Sequence, residues 1–262
     1  MGFSPDWLSL REPADRAARD PALLAAAADA AGPAPVVVDL GCGTGSMRRA
    51  LDARLEGAAQ WRLVDNDPTL LEVAVASAPD RAKGYLMDLD RIEDLPLDGA
   101  ALVTASALLD LVSRSWLDRL ADRLAQQKLP LHAGLSYDGM MDWDPPLPSD
   151  AAITEAFNRD QRSDKGLGPS LGPDGAATAA QVLQTRGFAV TLADSPWHLG
   201  PGEAALHRDL LAGIAAAAER AGAAQAPDWL AERLEMLDRS RVRIGHVDLL
   251  ALPPAPVPEE GG

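Results

Sequence analysis

The sequence is poor in cysteine and in basic residues. Its one cysteine, Cys42, excludes an intrachain disulfide, and we expect a reducing, cytoplasmic environment. The 24 lysines and arginines are outnumbered by 39 aspartates and glutamates, which gives a formal net charge of -15. Because a polyanionic partner requires a basic surface, this composition argues against nucleic acid as a partner. The basic pair Arg48-Arg49 is expected to lie on a solvated helix face.

Long apolar runs are also missing. The N-terminus has no basic segment followed by an apolar core, and the alanine-rich run from Leu23 to Ala31 is interrupted by Asp29. We therefore expect neither a signal peptide nor a membrane span, and no membrane partner. The 262 residues, 47% of them hydrophobic, are enough for one α/β domain with elaborations.

The chain does contain an alternation of strand-like and helix-like segments. Apolar and β-branched runs predict strands at 36–40, 61–64, 81–87, 101–105 and 130–136. Segments of helical period predict helices at 46–55, 68–77 and 115–127. Such alternation is typical of a parallel sheet with helices on both faces. Strands at 188–193 and 242–250, with helices at 203–220 and 228–239 between them, predict a hairpin-like pair at the end of the sheet.

These segments suggest a single domain over residues 1–252. Its parts would be an N-terminal helical cap at 1–33, a core at 34–136, an insertion after the fifth strand at 137–173 and a C-terminal part at 174–252. Within the cap, Pro5, Pro13 and Pro21 are expected to break the chain into short helices. The proline-rich segment 253–262 is expected to be a flexible tail.

The turn after the first strand has glycine at positions 41, 43 and 45, which lets a ligand approach the main chain. A dinucleotide site has the pattern G-x-G-x-x-G, but Ser46 stands where the third glycine would fall. Asp39, before the turn, would repel a pyrophosphate and would suit a cationic amine. Asp65 follows the second strand, at the position from which a carboxylate binds both ribose hydroxyls.

These features resemble the motifs of class I S-adenosylmethionine-dependent methyltransferases. The run V-V-V-D-L-G-C-G-T-G at 36–45 resembles the first motif, D-N-D-P at 65–68 the second, and M-D-L at 87–89 the segment that contacts adenine. The resemblance implies a Rossmann-like fold with a seven-stranded, mostly parallel sheet whose last strand is antiparallel. It also implies S-adenosyl-L-methionine as cofactor and S-adenosyl-L-homocysteine as product.

The resemblance further implies a set of cofactor-binding residues. Asp39 would lie near the amino group, Asp65 would hold the ribose, and Asp88 would accept from the adenine amino group. The other expected contacts are Gly41, Cys42, Gly43, Gly45, Asn66, Leu89 and Ser106. Asp67 and Pro68 would cap and begin the next helix.

The acceptor side has weaker signals. The run T-A-S-A-L-L-D at 104–110 resembles the S-x-L-x-h segment of small-molecule methyltransferases and lacks the Pro-Pro signature of enzymes that methylate DNA bases or glutamine. Asp110 either faces the substrate or caps the helix that begins near Ser113. The candidate catalytic residues are Asp110, Tyr137 and Asp138. The spacing of Asp138, Asp142 and Asp144 is poor support for magnesium, so no metal is predicted.

The insertion from 137 to 173 is rich in hydrogen-bonding side chains, and long excursions within a domain tend to be functional or disordered. We expect it to build the acceptor pocket, with Asn158, Gln161, Asp164 and Lys165 as substrate-binding candidates. Trp7 and Arg11 would join them if the cap is a lid. Alternatively, Asp164 and Lys165 form a surface pair and Asn158 lies on a helix surface. Among the histidines, His198 is a remote base candidate, His132 and His246 are expected within strands, and His207 is expected to face solvent.

The leading hypothesis is methyl transfer to an oxygen or nitrogen atom of a small polar metabolite, by an in-line displacement that depends mainly on positioning. One alternative is a cofactor-binding module without turnover. A protein methyltransferase, which needs an open groove, is the other. The sequence does not indicate the oligomeric state.

Overall fold

Apolar strand segments alternate with amphipathic segments, and the computed structural model describes what they form over residues 4–55 and 59–254. The helices are α1 (Pro5–Ala18), α2 (Pro21–Ala31), α3 (Ser46–Asp52), α4 (Pro68–Ala76), α5 (Arg114–Gln127), α6 (Asp150–Gln161), α7 (Gly175–Gln184), α8 (Ala204–Arg220) and α9 (Ala226–Glu235). The strands are β1 (Val36–Leu40), β2 (Gln60–Asp65), β3 (Ala82–Leu86), β4 (Leu102–Ser106), β5 (Leu131–Asp144), β6 (Ala189–Asp194), β7 (Trp197–Leu199) and β8 (Arg241–Leu252). All but the first two residues of the predicted tail lie outside the described residues.

The strands form one sheet in the order β3-β2-β1-β4-β5-β8-β6, and β7 also pairs with β8. Strands β1 to β5 are parallel, whereas β8 runs antiparallel to β5, β6 and β7. The predicted α/β class and the antiparallel last strand are confirmed. The described sheet has eight strands instead of seven because Pro196, which has no N–H to donate, separates β6 from β7.

Alternate residues of β1 enter two apolar layers. Val38 and Leu40 belong to a cluster with α5 and α7, whereas Val37 belongs to a second cluster with α2, α3 and α4. Since neighbouring side chains on a strand point to opposite faces, helices cover both faces of the sheet. A third cluster joins α1, α6, α8 and α9 to the far ends of β5 and β8. Among the described residues, none of the helices combines the length and the apolar character that a bilayer span needs.

Two predicted boundaries are wrong. Pro13 lies inside α1 and does not break it, since Trp7, Leu10 and Ala14 pack along the helix into the third cluster. Strand β5 was expected to end at residue 136, but it continues to Asp144, with irregular pairing to β8 on the way.

Candidate functional site

The glycine turn after β1 is a left-handed segment of backbone. Gly41, Gly43 and Gly45 have φ of 62°, 53° and 86°, which side chains with a Cβ rarely adopt. A Cβ on Gly43 would lie 3.1 Å from Cδ1 of Leu8, so α1 passes directly over the turn. Gly45 is the N-cap of α3, where a Cβ would contact Ala74. The turn therefore presents bare main chain under α1.

Asp65 fixes this turn from the end of β2. Its Oδ2 accepts from the backbone N–H of Gly43 at 2.8 Å, and its Oδ1 accepts from the N–H of Asp67 at 3.0 Å. Each carboxylate oxygen accepts more than one hydrogen bond, so both retain capacity for a ligand. Asp67 caps α4 through the N–H of Thr69 at 2.8 Å, which confirms its predicted structural role.

Asp39 is a buried acid with one oxygen unsatisfied. Its Oδ1 accepts from Oγ1 of Thr104 at 2.8 Å, and its Oδ2 has no hydrogen-bond partner among residues 4–55 and 59–254. Burial raises the pKa of Asp39 to about 7, against the hydrogen bond from Thr104 and the charge of Arg19, which lower it. A cationic group that reached Oδ2 would satisfy this oxygen and stabilise its charge.

These residues meet in a cavity of about 410 Å³ at the carboxyl ends of the parallel strands, within the size range of small-molecule sites. All the predicted cofactor residues except Gly45 line it. That glycine instead faces α4. The lining also includes Thr44, Ser46, Met47 and Leu70 beside the turn, Ala107, Leu108 and Leu111 after β4, and Leu8, Arg11 and Asp15 from α1.

Only two of the predicted acceptor-side residues reach this cavity, Arg11 and Lys165. Arg11 pairs with Asp15, with 3.0 Å between Nε and Oδ2, and its guanidinium lies 4.8 Å above the Trp197 ring. Lys165 pairs with Asp160 at 2.9 Å, so the alternative in which Lys165 pairs with Asp164 is wrong. Gly166 and Leu167 follow Lys165 into the cavity wall. Helix α1 and the loop after α6 together close this side.

The other four acceptor-side candidates are engaged elsewhere. Trp7 packs into the third apolar cluster, and Gln161 is the last residue of α6. Asn158 accepts from the Tyr137 hydroxyl at 2.8 Å and donates to the carbonyl of Gly139 at 3.0 Å. Asp164 accepts from the N–H of Gly166 at 2.7 Å within its own loop.

Among the catalytic candidates, Asp110 is buried and does not itself line the cavity, although its chain neighbours Leu108 and Leu111 do. Its Oδ1 has no hydrogen-bond partner in the described part of the chain, and burial raises its pKa to about 6. Ser113 caps α5 by accepting from the N–H of Trp116. The capping alternative for Asp110 is therefore wrong.

Tyr137 and Asp138 do not line the cavity. The Tyr137 hydroxyl is bound to Asn158, and burial raises the pKa of Tyr137 above its usual value. Asp138 points to the opposite face of β5, where its carboxylate lies against Gly245 and accepts from the N–H of Met140. Because β5 continues past residue 136, strand alternation separates these two side chains.

Two expectations about basic residues are also wrong, those for His207 and for Arg48-Arg49, and the base candidate His198 lies outside this cavity. His207 is fully buried and stacks on Trp143 with 5.9 Å between ring centroids. His198 lines a separate surface cavity of about 430 Å³. Arg48 is buried and donates to Asp52 at 3.1 Å, and Arg49 forms two hydrogen bonds with Glu12 of α1. In the described ranges, no three His, Cys, Asp or Glu residues are grouped to hold a metal ion.

Arg19, just after α1, is a residue near the site that was not predicted. It is buried, and its Nη2 donates to Oγ of Ser106 at 2.8 Å. Leu8, Arg11, Asp15 and Arg19 are three or four residues apart, which places them along one face of a helix. That spacing is the signal by which the sequence could have revealed them together.

The comparisons with known proteins agree with this geometry. Residues 37–127 match the family model of a methyltransferase domain. Among curated proteins, none matches the sequence. A cyclopropane-fatty-acyl-phospholipid synthase-like protein from Lactobacillus casei has the same fold, with a TM-score of 0.52 at 14% identity over 96% of this chain and 95% of that chain. A cyclopropane synthase from Mycobacterium tuberculosis also has this fold, with a TM-score of 0.51 at 14% identity over 95% of this chain and 94% of that chain.

At 14% identity, these two structures show the fold alone. The family match covers the glycine turn, the acids after β2 and β3, and the segment after β4. The match identifies residues 37–127 as a methyltransferase domain, within a fold that the two cyclopropane-synthase structures share.

Proposed function

We propose that this protein transfers the methyl group of S-adenosylmethionine to an oxygen or nitrogen atom of a small polar metabolite. The observation that carries the proposal is the buried Oδ2 of Asp39, which has no partner within residues 4–55 and 59–254 and lies in a cavity that also contains Asp65 and Asp88. The cofactor has a cationic amine, ribose hydroxyls and an adenine amino group. These groups are all hydrogen-bond donors, as three carboxylates require, and they follow one another in the cofactor in the order in which Asp39, Asp65 and Asp88 lie at the ends of β1, β2 and β3.

Each of these side chains would hold one part of the cofactor. Asp39 would accept from the ammonium group and Asp65 from the ribose hydroxyls. Asp88, which accepts from the N–H of Asp90 through one oxygen, would use the other for the adenine amino group. When bound, the cofactor supplies a methyl group on a sulfonium centre. The protein has to position an acceptor in line with that methyl and to exclude water.

The acceptor side of the cavity supports a small substrate. Leu8 of α1 and Leu167 of the loop after α6 both line it, so the space above the glycine turn is partly covered. Arg11 and Lys165 are the cationic side chains in its lining, and each already has an aspartate partner. A polar metabolite can bind to such pairs without leaving a charge uncompensated.

Asp110 is the proposed general base. A hydroxyl or ammonium acceptor must lose a proton, and a base works best when its pKa lies near the working pH. The pKa of Asp110 is raised to about 6, and the charge of Arg11, a cavity residue, acts on its carboxylate. Asp110 would therefore be ionised and able to accept a proton at neutral pH.

Two measurements test this function. Calorimetry should show binding of S-adenosylhomocysteine, and incubation of the protein and S-adenosylmethionine with fractionated metabolites should form S-adenosylhomocysteine only in fractions that contain the acceptor. Binding without turnover in any fraction would favour the cofactor-binding module. Transfer of labelled methyl groups to polypeptides would favour a protein methyltransferase. Absence of binding would contradict the proposal.

The role of Asp110 has its own variant. Asp110→Asn should lower kcat about 100-fold or more, because proton transfer by a positioned base contributes that much, and should leave S-adenosylhomocysteine binding unchanged. Asp138→Asn is the matched control, since the Asp138 carboxylate lies against Gly245 of β8 and away from the cavity. Equal turnover by both variants would mean that catalysis depends on positioning alone.

A further inference from the structure

Asp110 and His246 come together where β4 ends and β5 continues. Strand β4 ends at Ser106, opposite Gly134, and beyond this point the loop after β4 runs beside β5. There the Asp110 carboxylate accepts from the backbone N–H of Tyr137. Tyr137 in turn pairs with His246 of β8, with 6.2 Å between the centroids of the two rings. Side chains of paired residues share one face of the sheet, so Tyr137 connects the acid to the imidazole.

A space that water can enter reaches these three side chains, because 7% of Asp110, of Tyr137 and of His246 remains accessible. This space adjoins the cofactor cavity. Arg11 lines that cavity, and its charge acts on both Asp110 and His246. Leu111, the residue after Asp110, lines the cavity as well. A methyl acceptor held in this space would therefore lie next to the cofactor.

Both groups offer a hydrogen-bond acceptor. Oδ1 of Asp110 has no partner among residues 4–55 and 59–254. In His246, Nδ1 lies 3.1 Å from the carbonyl oxygen of Ile244, which can only accept, so Nδ1 carries the proton. Burial lowers the pKa of His246 to about 3, so the ring is neutral and Nε2 retains its lone pair at physiological pH.

The charges around the cavity favour a cation. Its described lining has five aspartates and two basic side chains, Arg11 and Lys165, and each of these two already has an aspartate partner. The positive charge of the cofactor offsets part of this excess of acids. The whole chain, with a formal net charge of -15, adds to the attraction for a cationic metabolite.

The number of acceptor atoms distinguishes an amine from an alcohol. A hydroxyl has one proton to donate and would satisfy either Asp110 or His246, whereas an ammonium group with two or more N–H bonds satisfies both. We infer that the methyl acceptor is a small cationic metabolite with a primary or secondary amine, whose ammonium group donates to Oδ1 of Asp110 and to Nε2 of His246. This inference rests on the proposed function and narrows the methylated atom to nitrogen.

The two residues then have separate parts in the transfer. Asp110 takes one proton from the ammonium group, which leaves a lone pair on the nitrogen, while His246 holds the nitrogen through another N–H. The lone pair forms the N–C bond to the methyl group as the C–S bond breaks and its electrons go to sulfur. The methylated nitrogen carries the positive charge, and Asp110 releases its proton to solvent.

The test separates a metabolite extract on a sulfonate cation-exchange resin at neutral pH. S-adenosylhomocysteine should form from S-adenosylmethionine with the retained fraction. This turnover should be lost after treatment of the fraction with N-acetoxysuccinimide, which blocks amines and spares aliphatic hydroxyls. Turnover with the unretained fraction alone, or turnover that survives the treatment, would overturn the inference and leave the proposed function standing. No turnover with either fraction would contradict the proposed function itself.

His246→Phe tests the recognition of the amine. The variant keeps a ring between Tyr137 and Trp197 but loses Nε2. The concentration of the retained fraction that gives half the maximal rate should rise about 10- to 100-fold, as expected for a hydrogen bond to a charged group. The maximal rate should change less, and S-adenosylhomocysteine binding by calorimetry should stay the same. His246→Gln, which retains an acceptor, should recover part of the loss.

His132→Phe is the matched control. His132 is also a buried histidine of the sheet, and its Nδ1 lies 3.1 Å from the carbonyl oxygen of Leu249, but no part of it is accessible to a substrate. Its concentration dependence should be that of the unchanged protein. An equal rise in both variants, or no rise in His246→Phe, would remove His246 from the acceptor site. If His246→Phe does not fold, His246→Gln is compared with His132→Gln, and a rise of about threefold or more is expected in the former alone.

Discussion

Two regions of this protein use their polar side chains differently. We call the residues around the glycine turn the cofactor side, and the insertion at 137–173 with helices α8 and α9, which pack against it, the acceptor side. Around the glycine turn, Asp39 has an oxygen with no partner in the described structure, and Asp65 holds the backbone while facing the cavity. On the acceptor side, Asp160 accepts from both Lys165 and Arg220, and Asp150 accepts from Trp229 and Arg233. One set of acids remains open to a ligand, and the other is satisfied within the protein.

This difference shows which polar residues indicate a site. A dense run of hydrogen-bonding side chains does not by itself indicate a ligand site. In α6 and the loop after it, such side chains bind one another and neighbouring helices and hold the segment in place. A buried carboxylate that lines a cavity and has an unpartnered oxygen in the described structure, as Asp39 has, is the more specific sign, because burial without a hydrogen bond costs free energy that a ligand can return. The predictions below test this division between binding and stability.

The largest effect is expected on the acceptor side, from Arg233→Ala. Arg233 is fully buried, pairs with Asp150, donates to the carbonyl of Pro145 at 2.9 Å and lies 4.6 Å from the Trp143 ring centroid. Loss of Arg233 leaves the mostly buried carboxylate of Asp150 without its ion-pair partner, which should lower the free energy of unfolding by about 3–5 kcal/mol. Urea unfolding measures this change, and folded protein should still bind S-adenosylhomocysteine normally.

Arg220→Ala is the control for this prediction. Arg220 also pairs with an aspartate, Asp160, but its side chain is 46% exposed, so the loss should be about 1 kcal/mol or less. If Arg233→Ala instead weakened ligand binding without loss of stability, the acceptor-side network would be part of the binding site and the division would fail.

The next largest effect is expected on the cofactor side, from Asp65→Ala. This change removes the proposed ribose acceptor and frees the N–H of Gly43, so affinity for S-adenosylhomocysteine should fall about 100-fold or more, as calorimetry would show. Asp67→Ala removes the cap of α4 and should cost about 1 kcal/mol of stability with little change in affinity. The reverse pattern would mean that Asp67, not Asp65, holds the ligand.

The sequence correctly predicts that the acids of the cofactor side lie at one edge of the sheet, and this has a physical reason. Asp39, Asp65 and Asp88 lie within or just after strands whose apolar runs are easy to recognise, and the carboxyl ends of parallel strands meet at one edge. Local sequence therefore determines where these acids lie. The same reasoning correctly predicts the mostly parallel sheet and the cap of α4.

The errors in the sequence-based predictions arise where contacts between residues far apart in the chain determine the structure. Strand β5 continues past residue 136 because Tyr137, Met141 and Trp143 pack into a cluster built by α6, α8 and α9. The register shifts in its pairing with β8 interrupt the alternation of apolar and polar residues by which a strand is recognised in a sequence. The burial of His207 likewise depends on Trp143, which lies 64 positions away. Arg19 reaches Ser106 across 87 positions of the chain. Neither contact leaves a local pattern.

A smaller effect is expected on the pH dependence of stability, from Asp39 on the cofactor side. An unfolded aspartate has a pKa of 3.8, whereas burial raises the pKa of Asp39 to about 7. Between these values the folded state binds the additional proton, so this group makes the ligand-free protein less stable as pH rises, by at most about 1.4 kcal/mol per pH unit. Asp39→Asn should flatten this slope in urea unfolding from about pH 4 to pH 7. An unchanged slope would mean that Asp39 is not protonated in the folded state.

The smallest effect is expected from Tyr137→Phe, which separates a structural role from the catalytic one first predicted. The variant loses the 2.8 Å hydrogen bond to Asn158, which should cost about 1 kcal/mol of stability, and kcat should stay the same. The other tyrosine, Tyr85, lies on β3 beside Lys83, and Tyr85→Phe serves as the matched control with no expected change in either quantity. A large fall in kcat at unchanged stability in Tyr137→Phe would place this hydroxyl in the reaction.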